Sequence, residues 1–252
     1  MRGNIHPLIV LWAPPRSLST VFLRVMAARG DLEVLHEPMC DLAACDRHEL
    51  PNGELLGSMA ELCEYIDARR VVRPVFVKET CEYDYRASLM ETGILREAIH
   101  VFMLREPAKV INSHYDVNPN LQSDEVGFRN LASLFDVVKI HGEQPPIFVD
   151  ADKLQASPER EVQEFCVRVG IAHIPDSLTW QPGHLDLWRR TRCWHEGVAE
   201  SSRIELREHK YNTRVENEPK LRTMYEENLP FYLYLKQACD AQPKLTFLQA
   251  KL

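Results

Sequence analysis

The chain has 252 residues, 45% hydrophobic, 27% charged and 8% aromatic. These are globular proportions and exclude a disordered, collagen-like or disulfide-stapled chain. Its 37 acidic and 30 basic residues leave a net charge of −7, which argues against nucleic-acid or anionic-membrane binding while leaving room for a local basic pocket. Seven scattered cysteines, an odd number without a framework, point to free thiols in a reducing cytoplasm. No apolar run approaches the roughly 18 residues of a spanning helix. The N-terminal Met1–Pro7 followed by Leu8–Trp12 is too short for a secretory leader and reads as the approach to a buried strand.

Short apolar runs then alternate with longer amphipathic segments. Leu8–Trp12, Leu32–Leu35, Val75–Val77, His100–Leu104 and Pro146–Val149 are rich in Val, Ile and Phe with little polar alternation, the pattern of parallel strands buried on both faces. Leu18, Val21, Phe22, Val25 and Met26 fall at helical spacing after the first run. Val110 and Ile111 begin a helix after the fourth, and Leu131, Leu134, Phe135 and Val138 mark another. After the fifth, Ser157-Pro158-Glu159 reads as a cap, a first-turn proline and a first-turn acid, with Gly170 as the helix stop. Strand–helix alternation implies an α/β fold with a central, mostly parallel sheet and helices on both faces. We read 1–252 as one domain, an α/β core over 5–175 followed by a lid and packing helices over 176–252.

The strongest local signal is Trp12-Ala13-Pro14-Pro15-Arg16-Ser17-Leu18-Ser19-Thr20, between a buried strand and a helix. A helix N-terminus offers free N–H groups and the positive end of the macrodipole. Arg16 adds a cation, and Ser17, Ser19 and Thr20 add hydroxyls, a set suited to a phosphate. The alternative is a Ser N-cap beside a solvated Arg. The glycines of a Walker A loop are missing. A second constellation is Phe102-Met103-Leu104-Arg105-Glu106-Pro107, a strand ending in Arg and a turn, with Ser113 eight residues after Arg105.

Together these segments resemble the sulfotransferases that use 3′-phosphoadenosine 5′-phosphosulfate (PAPS), in a bacterial branch with a Pro-Arg-Ser-x-Ser-Thr loop. Pro15, Arg16, Ser17, Ser19 and Thr20 match that loop, and Leu18 stands where glycine is usual. The resemblance spans roughly residues 5–170. It implies a P-loop NTPase-like three-layer fold and a 5′-phosphosulfate held by residues 15–20. It also implies a 3′-phosphate held by Arg105 and Ser113, and no required metal. The nucleotide product would be 3′,5′-bisphosphoadenosine (PAP).

Sulfuryl transfer needs a base for the acceptor's proton and cations for the leaving phosphate. Arg16 suits the second task. For the base, Glu37 in Leu35-His36-Glu37-Pro38 occupies the place of a catalytic Glu in some sulfotransferases, with His36 behind it. Pro38 is expected to keep Glu37 extended. Other members use a His in a Lys-Thr-His run. Here Lys78 matches the Lys, and Thr80 stands at the His position. Lys78 is assigned to the transferring group, and the alternative for Glu37 is a structural carboxylate paired with Arg16 or Lys78.

Trp188-Arg189-Arg190-Thr191-Arg192-Cys193-Trp194-His195 is the candidate lid, with Arg190, Arg192 and Trp194 facing the nucleotide; the alternative is a solvated helix face with its Trp residues in the core. His36, Cys40, Cys45 and His48 have zinc-like types, but read more simply as small buried cysteines in a helix with nearby histidines. Asp150 at the end of Ile147–Asp150 has a Walker B look, and reads as a strand-end turn. The expectation is a cytoplasmic sulfotransferase acting on a hydroxyl, secondarily an amine, of a small molecule. The rivals are a P-loop-type small-molecule kinase and a nucleotide-binding protein without catalysis. The acceptor is not encoded in any readable pattern.

Overall fold

The computed structural model describes residues 5–205 and 210–245, so residues 1–4 of the N-terminal approach, and 206–209 and 246–252 of the expected lid region, lie outside the described residues. The chain runs β1 (Leu8–Ala13), α1 (Ser19–Ala28), β2 (Glu33–His36), α2 (Pro38–Cys45), the short β3 (His48–Glu49) and β4 (Leu55–Leu56), α3 (Met59–Arg70) and β5 (Val75–Thr80). It continues α4 (Arg86–Met90), α5 (Ile94–Glu97), β6 (Ile99–Leu104), α6 (Pro107–Val117), α7 (Phe128–His141), β7 (Ile147–Asp150), α8 (Ala151–Ala156), α9 (Pro158–Val169), α10 (Glu196–Ala199) and α11 (Pro219–Asp240).

Five strands form one sheet in the order β2-β5-β1-β6-β7, every pair parallel. This is the expected α/β architecture. β1, β5 and β6 are buried at every position, which is why they read as continuous apolar runs. Each face carries its own core. One packs Phe22 and Met26 of α1 against Val162 and Phe165 of α9. The other packs Leu62 and Ile66 of α3, Leu131 and Phe135 of α7, and Leu235 of α11. β2 lies one residue later than the apolar run suggested, because Glu33 and His36 pair with Val75 and Lys78 of β5. The antiparallel β3–β4 pair has too little pattern to be read from the sequence.

The chain leaves β1 towards β2 and β5 on one side and reaches β6 and β7 on the other. The crevice at the carboxyl end of β1 is therefore the switch point where open α/β sheets bind ligands. The late segment is tied down from α1: the Arg24 guanidinium donates to the carbonyls of Gln181 and Gly183 and lies over the rings of Trp180 and Trp188 at 5.7 and 5.4 Å. Gly170 ends α9 in the left-handed conformation, as expected. Ser157 sits at its N-cap position but its side chain makes no cap bond. It also terminates α8, which leaves it at ψ 66 rather than in the extended cap geometry.

Below the crevice, Trp12 Nε1 donates to His100 Nδ1 at 2.9 Å. An indole nitrogen only donates, so His100 Nδ1 accepts and its Nε2 carries the proton towards Leu95 O at 3.0 Å. Burial pushes the imidazole down to about 4. Between pH 6.5 and 4 the unfolded chain takes up a proton that the native state refuses, so His100 contributes stability above pH 6.5 that is lost as pH falls. His100→Phe should cost about 1–3 kcal/mol at pH 7.5, because Trp12 loses its acceptor. It should also flatten the fall in stability between pH 7.5 and 5, read by urea unfolding at each pH; an unchanged slope would contradict the assignment.

Candidate active site

The loop joining β1 to α1 turns back at the end of the sheet through two left-handed residues, Arg16 at φ 61 and Leu18 at φ 69. Neither is glycine, so each is strained. Leu18 occupies the place where a glycine would enter this conformation freely, and its side chain recovers contact by packing against the α1–α9 core. Leu18 is also the N-cap of α1 and makes no side-chain cap bond, leaving the first amides of the helix to be satisfied by other means. Ser17 is fully buried and its Oγ has no partner.

The two predicted arginines meet here. Arg105 Nη1 donates to the Arg16 carbonyl at 2.7 Å. Arg16 Nε donates to Ser113 Oγ at 3.1 Å, and its Nη1 to the Trp194 carbonyl at 2.6 Å. Among the described residues neither guanidinium forms an ion pair, and Arg105 Nε is buried without a partner. Burial lowers the pKa of both groups.

Pro15–Thr20, Arg105 and Ser113 line one cavity of about 530 Å³ together with Glu37, Lys78, Arg190 and Trp194. Glu37 reaches it from the strand-to-helix corner between β2 and α2. There Pro38 does not hold it extended as expected: Glu37 is left-handed, at φ 52 and ψ 42. Three contacts impose the turn. Its N–H donates to the Lys78 carbonyl at 2.7 Å, its carboxylate pairs with the Lys78 ammonium, and buried Glu79 accepts from the Met39 and Cys40 amides at 2.7 and 3.2 Å. Burial alone would raise the Glu37 carboxyl. His36 and the Lys78 ammonium more than offset this and hold it down at about 2. Lys78 is itself 1% exposed.

His36 is not at the cavity wall. It is buried, edge-on to His195 with ring centroids 5.0 Å apart, and desolvation pushes it down to about 4. The late segment is strapped over the mouth. Arg189 contacts Glu49 at 3.1 Å, and Arg190 lies 3.8 Å from Asp41 and donates to the Arg47 carbonyl at 3.2 Å. Trp194 lines the cavity and offers its carbonyl to Arg16, while its ring lies edge-on to His114 at 5.7 Å. Arg192 is exposed and does not line the cavity, because the turn at Arg192–Trp194 carries it outward. Trp188 is fully buried in the core.

The other clusters have structural tasks. Cys40 and Cys45 lie in α2 but are half-buried and exposed, contrary to the expectation of burial, because that face of α2 borders the cavity mouth. His48 pairs with Asp41 at 2.8 Å, and among the described residues no group of His, Cys, Asp and Glu is placed to hold a metal. Asp150 caps α8 through the Asp152 and Lys153 amides. Sequence reasoning missed Glu82, Asp41 and Asp116 on the cavity wall, none of which carries a motif.

The family model for the sulfotransferase domain matches residues 8–238. The chain belongs to the sulfotransferase family. It superposes on the sulfotransferase from Alicyclobacillus acidocaldarius with a TM-score of 0.56 at 12% identity, over 98% of this chain and 99% of that one. The sulfotransferase domain from the curacin biosynthetic pathway gives 0.55 at 11% identity, over 89% and 98%. At such identities these show the shared fold. By sequence the chain is 27% identical over 204 residues to branched-chain-amino-acid aminotransferase-like protein 2 of Arabidopsis thaliana, covering 76% of this chain and 35% of that protein. The chain thus spans about a third of the length of the curated relatives it matches. No helix among the described residues is long and apolar enough to cross a membrane.

The Glu37–Lys78 pair gives a direct test. Removing one partner of a buried pair leaves the other charge uncompensated. Glu37→Gln and Lys78→Met should each lower the unfolding free energy by about 1–3 kcal/mol, and the double variant should lose less than the sum. Urea unfolding of the four proteins reads this cycle; additive losses would show the pair to be uncoupled.

Proposed function

We propose that this sulfotransferase takes PAPS as donor and moves its sulfuryl group, by in-line displacement, to a hydroxyl and secondarily an amine of a small molecule. The observation that carries the reading is the pair of half-buried guanidinium groups, Arg16 and Arg105, joined through the Arg16 carbonyl without an ion pair among the described residues. Desolvation outweighs the pull of the nearby acidic groups at both arginines, and an anion with two phosphate-type groups would relieve both. The unpartnered Ser17 Oγ and Arg105 Nε fit such a ligand.

On this reading Arg16, Ser17, Ser19, Thr20 and the α1 amides hold the 5′-phosphosulfate, while Pro15 and Leu18 shape the loop. Arg105 and Ser113 hold the 3′-phosphate. Arg16 and Lys78 oppose the charge that builds on the bridging oxygen. Glu37 pairs with Lys78 and holds it at the cavity. Arg190 ties the strap down at the mouth. A P-loop-type kinase would need Asp150 for a cation, and that carboxylate caps α8 and lies 3.9 and 3.8 Å from Lys153 and Lys236. All seven cysteines are free, which supports a reducing, cytoplasmic setting.

PAP should raise the melting temperature by mass action, and ATP, which lacks a 3′-phosphate, should raise it less. Arg105→Ala should weaken PAP by about 1.5–3 kcal/mol, the range for a charge-assisted hydrogen bond, in a calorimetric titration. Arg16→Ala should reduce turnover more than PAP affinity, since its charge matters most as the leaving oxygen becomes anionic. An equal or larger melting shift with ATP would contradict the two-phosphate reading.

A further inference from the structure

β5 delivers three side chains to the cavity in succession. Lys78 and Thr80 lie on one face of the strand, two residues apart, and Glu82 follows in the turn; all three line the wall. Thr80 stands where some sulfotransferases place a histidine base, and its hydroxyl cannot serve as one at neutral pH. Its Oγ1 instead donates to Glu82 Oε2 at 3.4 Å, so a carboxylate lies over the position where an imidazole would be.

The turn that presents Glu82 is fixed from several sides. Asn130 Nδ2 of α7 donates to the carbonyls of Cys81 and Glu82 at 3.1 and 3.2 Å. The Tyr85 hydroxyl donates to the Thr80 carbonyl at 2.9 Å. Gly127, at φ +87, lets the start of α7 approach so closely that a Cβ there would lie 3.0 Å from the Cys81 carbonyl oxygen and 3.2 Å from Pro15. The same contact locks this turn against the loop that carries Arg16.

Among the described residues Glu82 forms no ion pair with a Lys or Arg side chain. The Lys78 ammonium is engaged by Glu37, and the Glu82 side chain is 29% exposed to the cavity. His114 of α6 has its Nε2 3.9 Å from Glu82 Oε1, and burial with the nearby Arg16 charge lowers it to about 4, so it is neutral. Cys40 Sγ of α2 lies 3.9 Å away, and burial and three carboxylates push that thiol above the ordinary range. The remaining charged or titratable groups facing Glu82 are Glu37, Lys78, Tyr83 and Glu125.

We infer that Glu82 is the proton acceptor for the incoming nucleophile and that Glu37 serves as the counter-ion that positions Lys78, an assignment that rests on the sulfotransfer reading above. Two carboxylates beside one lysine are thereby given different tasks by their surroundings. Burial, reinforced by the Glu37 charge, raises Glu82 to about 7 against the opposing pull of Lys78 and Thr80, a basicity matched to neutral pH. In the step itself the acceptor O–H bond breaks and its proton passes to the Glu82 carboxylate. The freed electron pair forms the new S–O bond. The bond between sulfur and the bridging oxygen breaks, and its pair stays on the 5′-phosphate of PAP.

The test combines a titration and a rate. With [δ-13C]glutamate-labelled protein saturated in PAP, one carboxyl resonance that disappears in Glu82→Gln should titrate near pH 7. PAP release from PAPS, with 2-naphthol offered as acceptor and water competing, should fall 10²–10⁴-fold in Glu82→Gln. Its acid limb near pH 7 should vanish, and PAP affinity and melting temperature should be kept. Glu82→Asp should restore part of the rate and the limb, and Glu37→Gln should keep the limb at a reduced rate. A Glu82 resonance titrating near 4, a Glu82→Gln rate within threefold of the parent, or a limb lost only in Glu37→Gln would overturn the assignment. A parallel loss of PAP affinity in Glu82→Gln would make the residue structural, and overturn it too. Failure of PAP to raise the melting temperature of the parent protein would instead remove the sulfotransfer reading and this assignment together.

Discussion

Two half-buried guanidinium groups at a cavity wall, neither in an ion pair among the described residues, are the constraint around which this molecule is arranged. Each is anchored by neutral acceptors: Arg16 by Ser113 and the Trp194 carbonyl, Arg105 by the Arg16 carbonyl. These bonds orient the charges without cancelling them. The cavity therefore presents guanidinium donors inside a chain with net charge −7, and an anion that enters replaces lost hydration. Four separate stretches are needed to build this arrangement: the β1–α1 loop, the end of β6, α6 and the late strap. A five-stranded parallel sheet brings the first three to one edge because all its strands end there.

Local strain marks the same edge. Among the described residues, three of the four non-glycine residues with positive φ, Arg16, Leu18 and Glu37, lie at the cavity. Such conformations cost about 1–3 kcal/mol each and persist only where the surroundings over-determine them. Here the surroundings do so through named contacts: the Lys78 carbonyl and ammonium on Glu37, Glu79 across the N-terminus of α2, and Arg105 on the Arg16 carbonyl. The strain aims carbonyls and side chains that an extended backbone would direct elsewhere.

The architecture was legible because the buried strands are short, apolar on both faces and separated by amphipathic helices; β2 and β7 each lie one residue later than their apolar runs. The bringing together of Arg16, Arg105 and Ser113 was legible because each sits at a strand-end or helix position fixed by spacing. What escaped was geometry set by tertiary contact. Pro38 predicts an extended Glu37, and the Lys78 and Glu79 contacts override it. Arg192 shares a cluster with Arg190, yet a single tight turn sends it outward. Glu82 carries no motif, and its importance emerges only once Thr80, Lys78 and Glu37 are seen around it.

A cavity that moves a sulfuryl group leaves its mark in the mass of the acceptor. The most direct measurement is mass spectrometry of a small-molecule library incubated with the protein and PAPS, with a parallel incubation in ATP and magnesium. The account predicts that one or more hydroxyl compounds gain a single sulfuryl group with PAP appearing in equal amount. Transfer of a phosphoryl group from ATP, with PAPS left intact, would contradict it.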